Sequence, residues 1–299
     1  MIYVSVDQTT GGRTGHKMKD YLTAYCIHFM FGWPIVYNNT WNFPINDHNN
    51  HVNIFNIRDN SLSKHCTTSK TLVYKFQAWA GMDLETLLQI KETAEKYNED
   101  VIVIFRDATR VLPNQLYNWG FKKEYNNLIL HLKNLYDIST FKPPKMLEHK
   151  IFTITVHIRK GDVFNRIMHN FDHRDISYYV NVIHNLSKVI KQPYLINIIS
   201  EKWKGYDEKD VRSLMNLKLE NNLKVNVVLD YCIYEYFTDF IESDILVLTN
   251  GQGSFSDMGL IYSKPSSKII LCPEYRQFEY VDDLNKKIIF ADKNGKLLI

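Results

Sequence analysis

Two hydrophobic rhythms alternate along this chain. Short, continuous apolar runs rich in β-branched residues occur at 2–6, 101–105, 151–158, 195–199, 225–229, 245–248 and 268–271. Between them lie stretches in which apolar residues recur every three or four positions. The first rhythm marks strands buried on both faces, and the second marks amphipathic helices laid over them. Early in the chain Met18, Tyr21, Leu22, Tyr25, Cys26, Phe29 and Met30 fall on one helical face, and residues 34–37 read as the next strand. Asp83 stands where it can cap a helix carrying Leu84, Leu87, Leu88, Lys91 and Ala94. Later helices are expected over 176–190, over 207–222 and after the segment ending at Ser256. Strand and helix alternating in this way predict an α/β fold whose parallel sheets are covered on both faces. The prolines of Phe141-Lys142-Pro143-Pro144-Lys145 forbid helix, so this segment reads as a linker between domains 1–145 and 146–299.

In parallel sheets ligands bind just past the carboxyl ends of the strands, which directs attention to the residues immediately after each apolar run. The third-quarter strand opens into His157-Ile158-Arg159-Lys160-Gly161-Asp162. Arg159 offers a fork of donors matched to phosphate oxygens, and Gly161 lets the backbone turn closely round a ligand; a surface turn with Arg159 paired to Asp162 is the plain alternative. Ser200 and Glu201 come after the next run, as ribose contacts or as a helix cap. Asp230 comes after the one beyond; its carboxylate can accept two N–H donors from a guanine edge, or cap a helix. Thr249-Asn250-Gly251-Gln252-Gly253-Ser254-Phe255-Ser256 is a Gly- and Ser-rich strand-to-helix turn, a ready anion site at a helix N-terminus. Phe255 is placed to cover a base or sugar, and Ser256 alternatively serves as an N-cap.

A second turn of this kind, Gly11-Gly12-Arg13-Thr14-Gly15-His16, comes after the first strand. It lacks the Lys-Ser/Thr of a P-loop and the spacing Gly-x-Gly-x-x-Gly, which argues against NTPase and dehydrogenase chemistry. Each segment alone has an ordinary structural explanation. Five polar stops at the correct ends of βα units point to one cleft.

Composition narrows the partners. Of 299 residues 45% are hydrophobic and 23% charged, a globular balance. A net charge of +3 is compatible with an anionic small molecule without pointing to one, and falls far short of a nucleic-acid footprint. No apolar run approaches the roughly 18 residues of a membrane span, and the start lacks the basic and apolar regions of a signal peptide, so a cytoplasmic protein is expected. The four cysteines are scattered without a Cys-x-x-Cys pair, and no apolar-flanked Asp-x-Asp is present; free thiols and no bound metal are expected.

Taken together these segments resemble the GDP-fucose fucosyltransferase superfamily: the α1,2-type, the α1,6-type and the protein O-fucosyltransferases. Val156-His157-Ile158-Arg159-Lys160-Gly161-Asp162 is similar to that family's His-x-Arg-[Arg/Lys]-x-Asp segment. By resemblance Arg159 grips the β-phosphate of the donor and His157 lies beside the nucleotide. The segment 11–16 resembles the family's N-terminal glycine loop, which brings in Gly12, Gly15 and His16. Ser200-Glu201 matches the Ser-Asp stretch, with Trp203 nearby, and Leu229-Asp230 matches the Leu-Asp whose acid reads guanine. Ser254-Phe255-Ser256 resembles the loop that contacts the nucleotide phosphates, and Gly253 precedes it with a free backbone amide expected to join in. The matches run in family order from about residue 11 to 273, and nothing matches across 38–140.

The resemblance implies a GT-B architecture, two facing Rossmann-like domains with the acceptor on the first and the nucleotide-sugar donor on the second. It also implies inverting, metal-independent fucosyl transfer from GDP-fucose to a glycan acceptor, with no cofactor. Where α1,2-type enzymes carry two tryptophans this chain has Asp257 and Met258, and where some α1,6-type enzymes carry a Glu it has Ile167; linkage and catalytic base therefore stay open. Asp162 is a candidate base or the residue that orients Arg159, with His16 and Asp20 as further candidates. The rivals are a GT-B enzyme using another nucleotide sugar and an inactive nucleotide-sugar-binding homologue.

Overall fold

A computed structural model describes residues 1–6, 14–36, 70–75, 82–106, 111–138, 147, 151–158, 175–200, 208–229, 236–248, 254–271 and 287–298. For 14–20, 75 and 254–257 the description covers the helix or strand only. The chain divides into two compact units, Met1–Lys142 and Pro143–Ile299. Among the described residues no helix is long and apolar enough to cross a membrane.

The first unit contains β1 (Ile2–Val6), α1 (Thr14–Phe31), β2 (Lys70–Lys75), α2 (Leu84–Glu95), β3 (Val101–Arg106), α3 (Pro113–Asn118) and α4 (Lys122–Ile138). Its described strands run parallel in the order β1-β3-β2. Of the strand expected at 34–37, the described residues 34–36 show one parallel bridge, Val4 to Ile35, and residue 37 lies outside the described residues. The Val4 N–H donates to Pro34 O at 3.0 Å and the Val36 N–H to Val4 O at 2.8 Å. Pro34 has no N–H of its own, so the ladder cannot lengthen in that direction. α1 buries Tyr21, Leu22, Tyr25 and Cys26 of the expected face but also Thr23, Ala24 and Ile27, so this stretch is buried all round, while Phe29 and Met30 are half-buried. Asp83 caps α2 by accepting the Thr86 N–H at 2.7 Å, which holds its carboxyl below the ordinary range. α2 buries Leu87, Ile90 and Ala94, whereas Leu88 faces solvent.

The second unit contains β4 (Phe152–Ile158), α5 (Ile176–Val189), β5 (Tyr194–Ser200), α6 (Lys209–Ser213), β6 (Asn222–Leu229), α7 (Phe237–Ile241), β7 (Ile245–Val247), α8 (Ser254–Tyr262), β8 (Lys268–Leu271), β9 (Lys287–Ala291) and β10 (Leu297–Leu298). These strands form one sheet in the order β10-β9-β8-β7-β4-β5-β6, parallel throughout except for the terminal β9–β10 pair. From β4 the chain builds outward through β5 and β6, then returns to the other side of β4 and builds outward again. That is the Rossmann-like strand order, with its point of reversal between β4 and β7.

The helix expected over 207–222 is a correction. α6 passes into a short 3-10 turn at Leu214–Asn216, Leu217 is extended (φ −63, ψ 125), and β6 begins at Asn222. Asn221 takes the left-handed region (φ 56), a position Asn tolerates better than most residues and one that no helix contains. Val211, Leu214 and Leu217 recur every three residues as on a helix face, yet Leu214 reaches the core from the 3-10 turn and Leu217 and Leu219 from an extended segment.

Pleating gives the second sheet two unlike faces. Ile154, Val156, Ile158, Ile196, Ile198 and Val225 face α5 and pack with Tyr178, Val182, Ile183 and Leu186. The opposite face of β4 carries Thr153, Thr155 and His157, over which α7 lies. α8 closes on α7 there, because Gly259 stands so near that an added Cβ would lie 2.2 Å from Phe240 Cε1.

Candidate functional site

The carboxyl ends of four adjacent strands, β7, β4, β5 and β6, form one edge of the second sheet. Ile158 pairs with Ser200, and Ser200 with Leu229, so three neighbouring strands end in register. The next residue in each chain segment is Arg159, Glu201 and Asp230 in turn. With neighbouring strands roughly 5 Å apart, the three chain exits are spread over about 10 Å. On the other side of β4, Val156 pairs with Val247, and the Gly-rich segment 249–253 leads from β7 into α8. α5 covers one face of the sheet and α8 the other, so the connections that leave β4 and β7 diverge. In doubly wound sheets this divergence opens the crevice in which ligands bind.

Arg159, Asp162, Glu201, Asp230, Gly12 and Gly253 lie outside the described residues. Ser254, Phe255 and Ser256 form the first turn of α8. The helix therefore starts at Ser254, three residues earlier than an N-cap at Ser256 would allow, and its first-turn N–H groups, which lack partners within the helix, belong to the residues immediately after Gly253. Gly15 and His16 likewise fall in the first turn of α1 rather than in a loop, and Asp20 further along it. Asp175 accepts the Ile176 N–H at 2.6 Å, so a carboxylate already occupies the start of α5.

His157 and Ser200 are the two site residues whose side chains are described, and both are turned into the protein. His157 is 3% exposed and meets the Phe240 ring edge-on, with centroids 5.7 Å apart at 71°. Ser200 is fully buried, and its Oγ donates to Ile158 O at 2.7 Å. His157 is expected beside the nucleotide by resemblance; its ring is packed into the protein against Phe240.

Toward the amino ends of β4, β7 and β8, the edge opposite the candidate site, lies a buried polar frame that the apolar pattern of the sequence did not announce. Ser243 Oγ donates to Asp239 O at 2.8 Å, which leaves the Thr155 hydroxyl as the donor in its contact with Ser243 Oγ. Ser267 Oγ donates to Ser243 O. Asp244 accepts the Thr153 N–H at 2.8 Å and the Lys264 ammonium at 2.7 Å. Asp239 is itself buried and accepts the Leu147 N–H at 2.9 Å. Asn226 Nδ2 donates to Asn197 Oδ1 at 2.9 Å, and Asn197 Nδ2 is buried without a partner. The available signal was the run Asp239-Phe240-Ile241-Glu242-Ser243-Asp244, in which small polar residues interrupt an apolar stretch just ahead of a strand. Among the described residues no group of three His, Cys, Asp or Glu side chains is placed to hold a metal ion.

No protein-family model matches this chain, and no curated protein matches it. Among solved structures the chain is similar to a mutant of FUT1 from Arabidopsis thaliana in complex with GDP. The TM-score is 0.43 and the identity 9%, over 97% of this chain and 70% of that one.

Proposed function

We propose that this chain is an inverting, metal-independent glycosyltransferase that moves fucose from GDP-fucose to a hydroxyl of a glycan acceptor. The observation that carries the reading is the strand order of the second unit. It sets the exit to Arg159 and the entry to α8 on the two sides of the sheet's point of reversal, with the exits to Glu201 and Asp230 in register beside them. Four segments that read separately as anion, ribose and guanine contacts thus depart from one edge.

The chemistry rests on the capacities of those residues. As the bond from the anomeric carbon to the diphosphate breaks, negative charge grows on the leaving oxygen. Arg159 and the first-turn N–H groups at Ser254–Ser256 supply fixed positive potential where that charge appears, with no divalent ion required. Asp230 accepts guanine N–H donors, and Phe255 covers the base or sugar. Asp162 orients Arg159 or takes the proton of the acceptor hydroxyl that attacks from the opposite side.

A nucleotide panel read by thermal unfolding tests the donor. A nucleotide held at 100 times its Kd stabilises the fold by about 2.7 kcal/mol. GDP raises the midpoint, UDP and ADP do not, and Asp230→Ala flattens the preference. Equal shifts with GDP and UDP contradict the guanine assignment. Hydrolysis or transfer of fucose from GDP-fucose persists in EDTA; loss of activity that manganese restores would reveal a metal requirement.

A further inference from the structure

We propose that Ser200 is a positioning residue for Arg159, holding the backbone from which that side chain departs rather than touching the nucleotide. The inference rests on the reading of Arg159 as the partner of the diphosphate. Ser200 ends β5 directly opposite Ile158 in the parallel register. It is fully buried, and its single hydroxyl proton is given to Ile158 O at 2.7 Å. A parallel ladder already ties these strands through their own N–H and C=O groups, so a side-chain bond at the last rung is an addition to it. It falls on the carbonyl of the residue bonded to Arg159.

The same strand end is braced from its other face. His157 rests on Phe240, and Phe240 is enclosed by α8 at Gly259. A guanidinium that grips a phosphate through two parallel N–H bonds tolerates little displacement, since a misplacement of about 1 Å can cost on the order of 100-fold in rate. A strand end held from both faces is what such a contact needs.

The test is a double-mutant cycle on GDP affinity, measured by calorimetry on the full chain: wild type, Ser200→Ala, Arg159→Ala and the pair. Ser200→Ala weakens GDP binding by roughly 3- to 10-fold, the range set by one neutral hydrogen bond. In the Arg159→Ala background the same change has no further effect, and Ser200→Thr, which keeps the hydroxyl, binds GDP nearly as the wild type does. An equal loss in both backgrounds overturns the proposal, because the hydroxyl then acts without Arg159. Unchanged affinity in Ser200→Ala overturns it too. If Arg159→Ala itself leaves GDP affinity intact, the diphosphate reading fails instead. Amide hydrogen exchange without nucleotide then decides the positioning role alone. Faster exchange at the end of β4 in Ser200→Ala, at an unchanged melting temperature, supports it, and unchanged exchange there sinks it.

Discussion

On its α5 side the second sheet presents Ile154, Val156, Ile158, Ile196 and Ile198 to a helix of Tyr, Val, Ile and Leu. On its α7 side the same β4 presents Thr153, Thr155 and His157 to a layer that includes Asp244, Ser243 and Phe240. Both sides are buried, and they do different work. Apolar packing is non-directional and tolerates small shifts, so the α5 side supplies free energy without fixing where a strand stops. Hydrogen bonds have one good geometry each, so the α7 side fixes position at the expense of desolvated polar groups such as Asn197 Nδ2.

Mutation of each side separates the two roles. The largest effect belongs to the apolar side: Ile198→Ala, at a fully buried position, costs about 2–5 kcal/mol in urea unfolding, as a cavity in a packed core does. A cost below about 1 kcal/mol would mean that this face is not the main source of stability. Next comes Asp244→Ala, which leaves the Thr153 N–H and the Lys264 ammonium without their acceptor. Its expected cost is about 1–3 kcal/mol, with the far-ultraviolet spectrum unchanged. Wild-type stability in that variant would break the comparison, since the polar frame would then be idle.

The smallest effect uses the first unit as the contrast. There His131 packs against Tyr25 and Phe29, with ring centroids 5.3 and 5.6 Å away. Burial first, and the charge of His28 second, lower its pKa below the ordinary 6.5. The unfolded chain therefore takes up a proton before the folded one does. The contribution of His131 is fully present above pH 6.5 and is lost as pH falls from there through the folded value. His131→Phe flattens that part of the melting curve against pH. An identical pH dependence in the variant would show that the aromatic cluster does not hold His131 neutral.

The same contrast explains what could be read from the sequence. Strands β3 and β8 carry nearly unbroken apolar runs, which announce them, and β4 is announced by Ile and Val alternating with Thr and His. Their polar stops were legible because a buried strand must end where water or a ligand begins. The direction of each stop was not. Ser200 at a strand end serves a ribose or a neighbouring carbonyl equally well until register places Ile158 beside it. α7 is five residues long, too short to show a period, so Phe240 and the Asp239–Ser243 frame left no rhythm. Residues 207–222 misled in the opposite way, since leucines spaced like a helix face were gathered to the core by a turn. β9 and β10 pair around Gly295 (φ 82), and β9 opens with an exposed Lys287 and mixes exposed with half-buried positions, so no buried run marks the hairpin.

The central claim is that the residue after Ile158 neutralises a departing diphosphate, and single-turnover kinetics with GDP-fucose test it most directly. Wild type, Arg159→Ala and Arg159→Lys are compared, with folding verified by circular dichroism. A charge-assisted bond to phosphate is worth about 1.5–3 kcal/mol, so donor affinity falls roughly 10- to 150-fold in Arg159→Ala. Charge on the leaving group grows toward the transition state, so kcat falls as well, beyond the loss in binding. Arg159→Lys recovers little, because an ammonium cannot make the paired planar contact. A folded Arg159→Ala that transfers fucose at close to the wild-type rate would contradict the account.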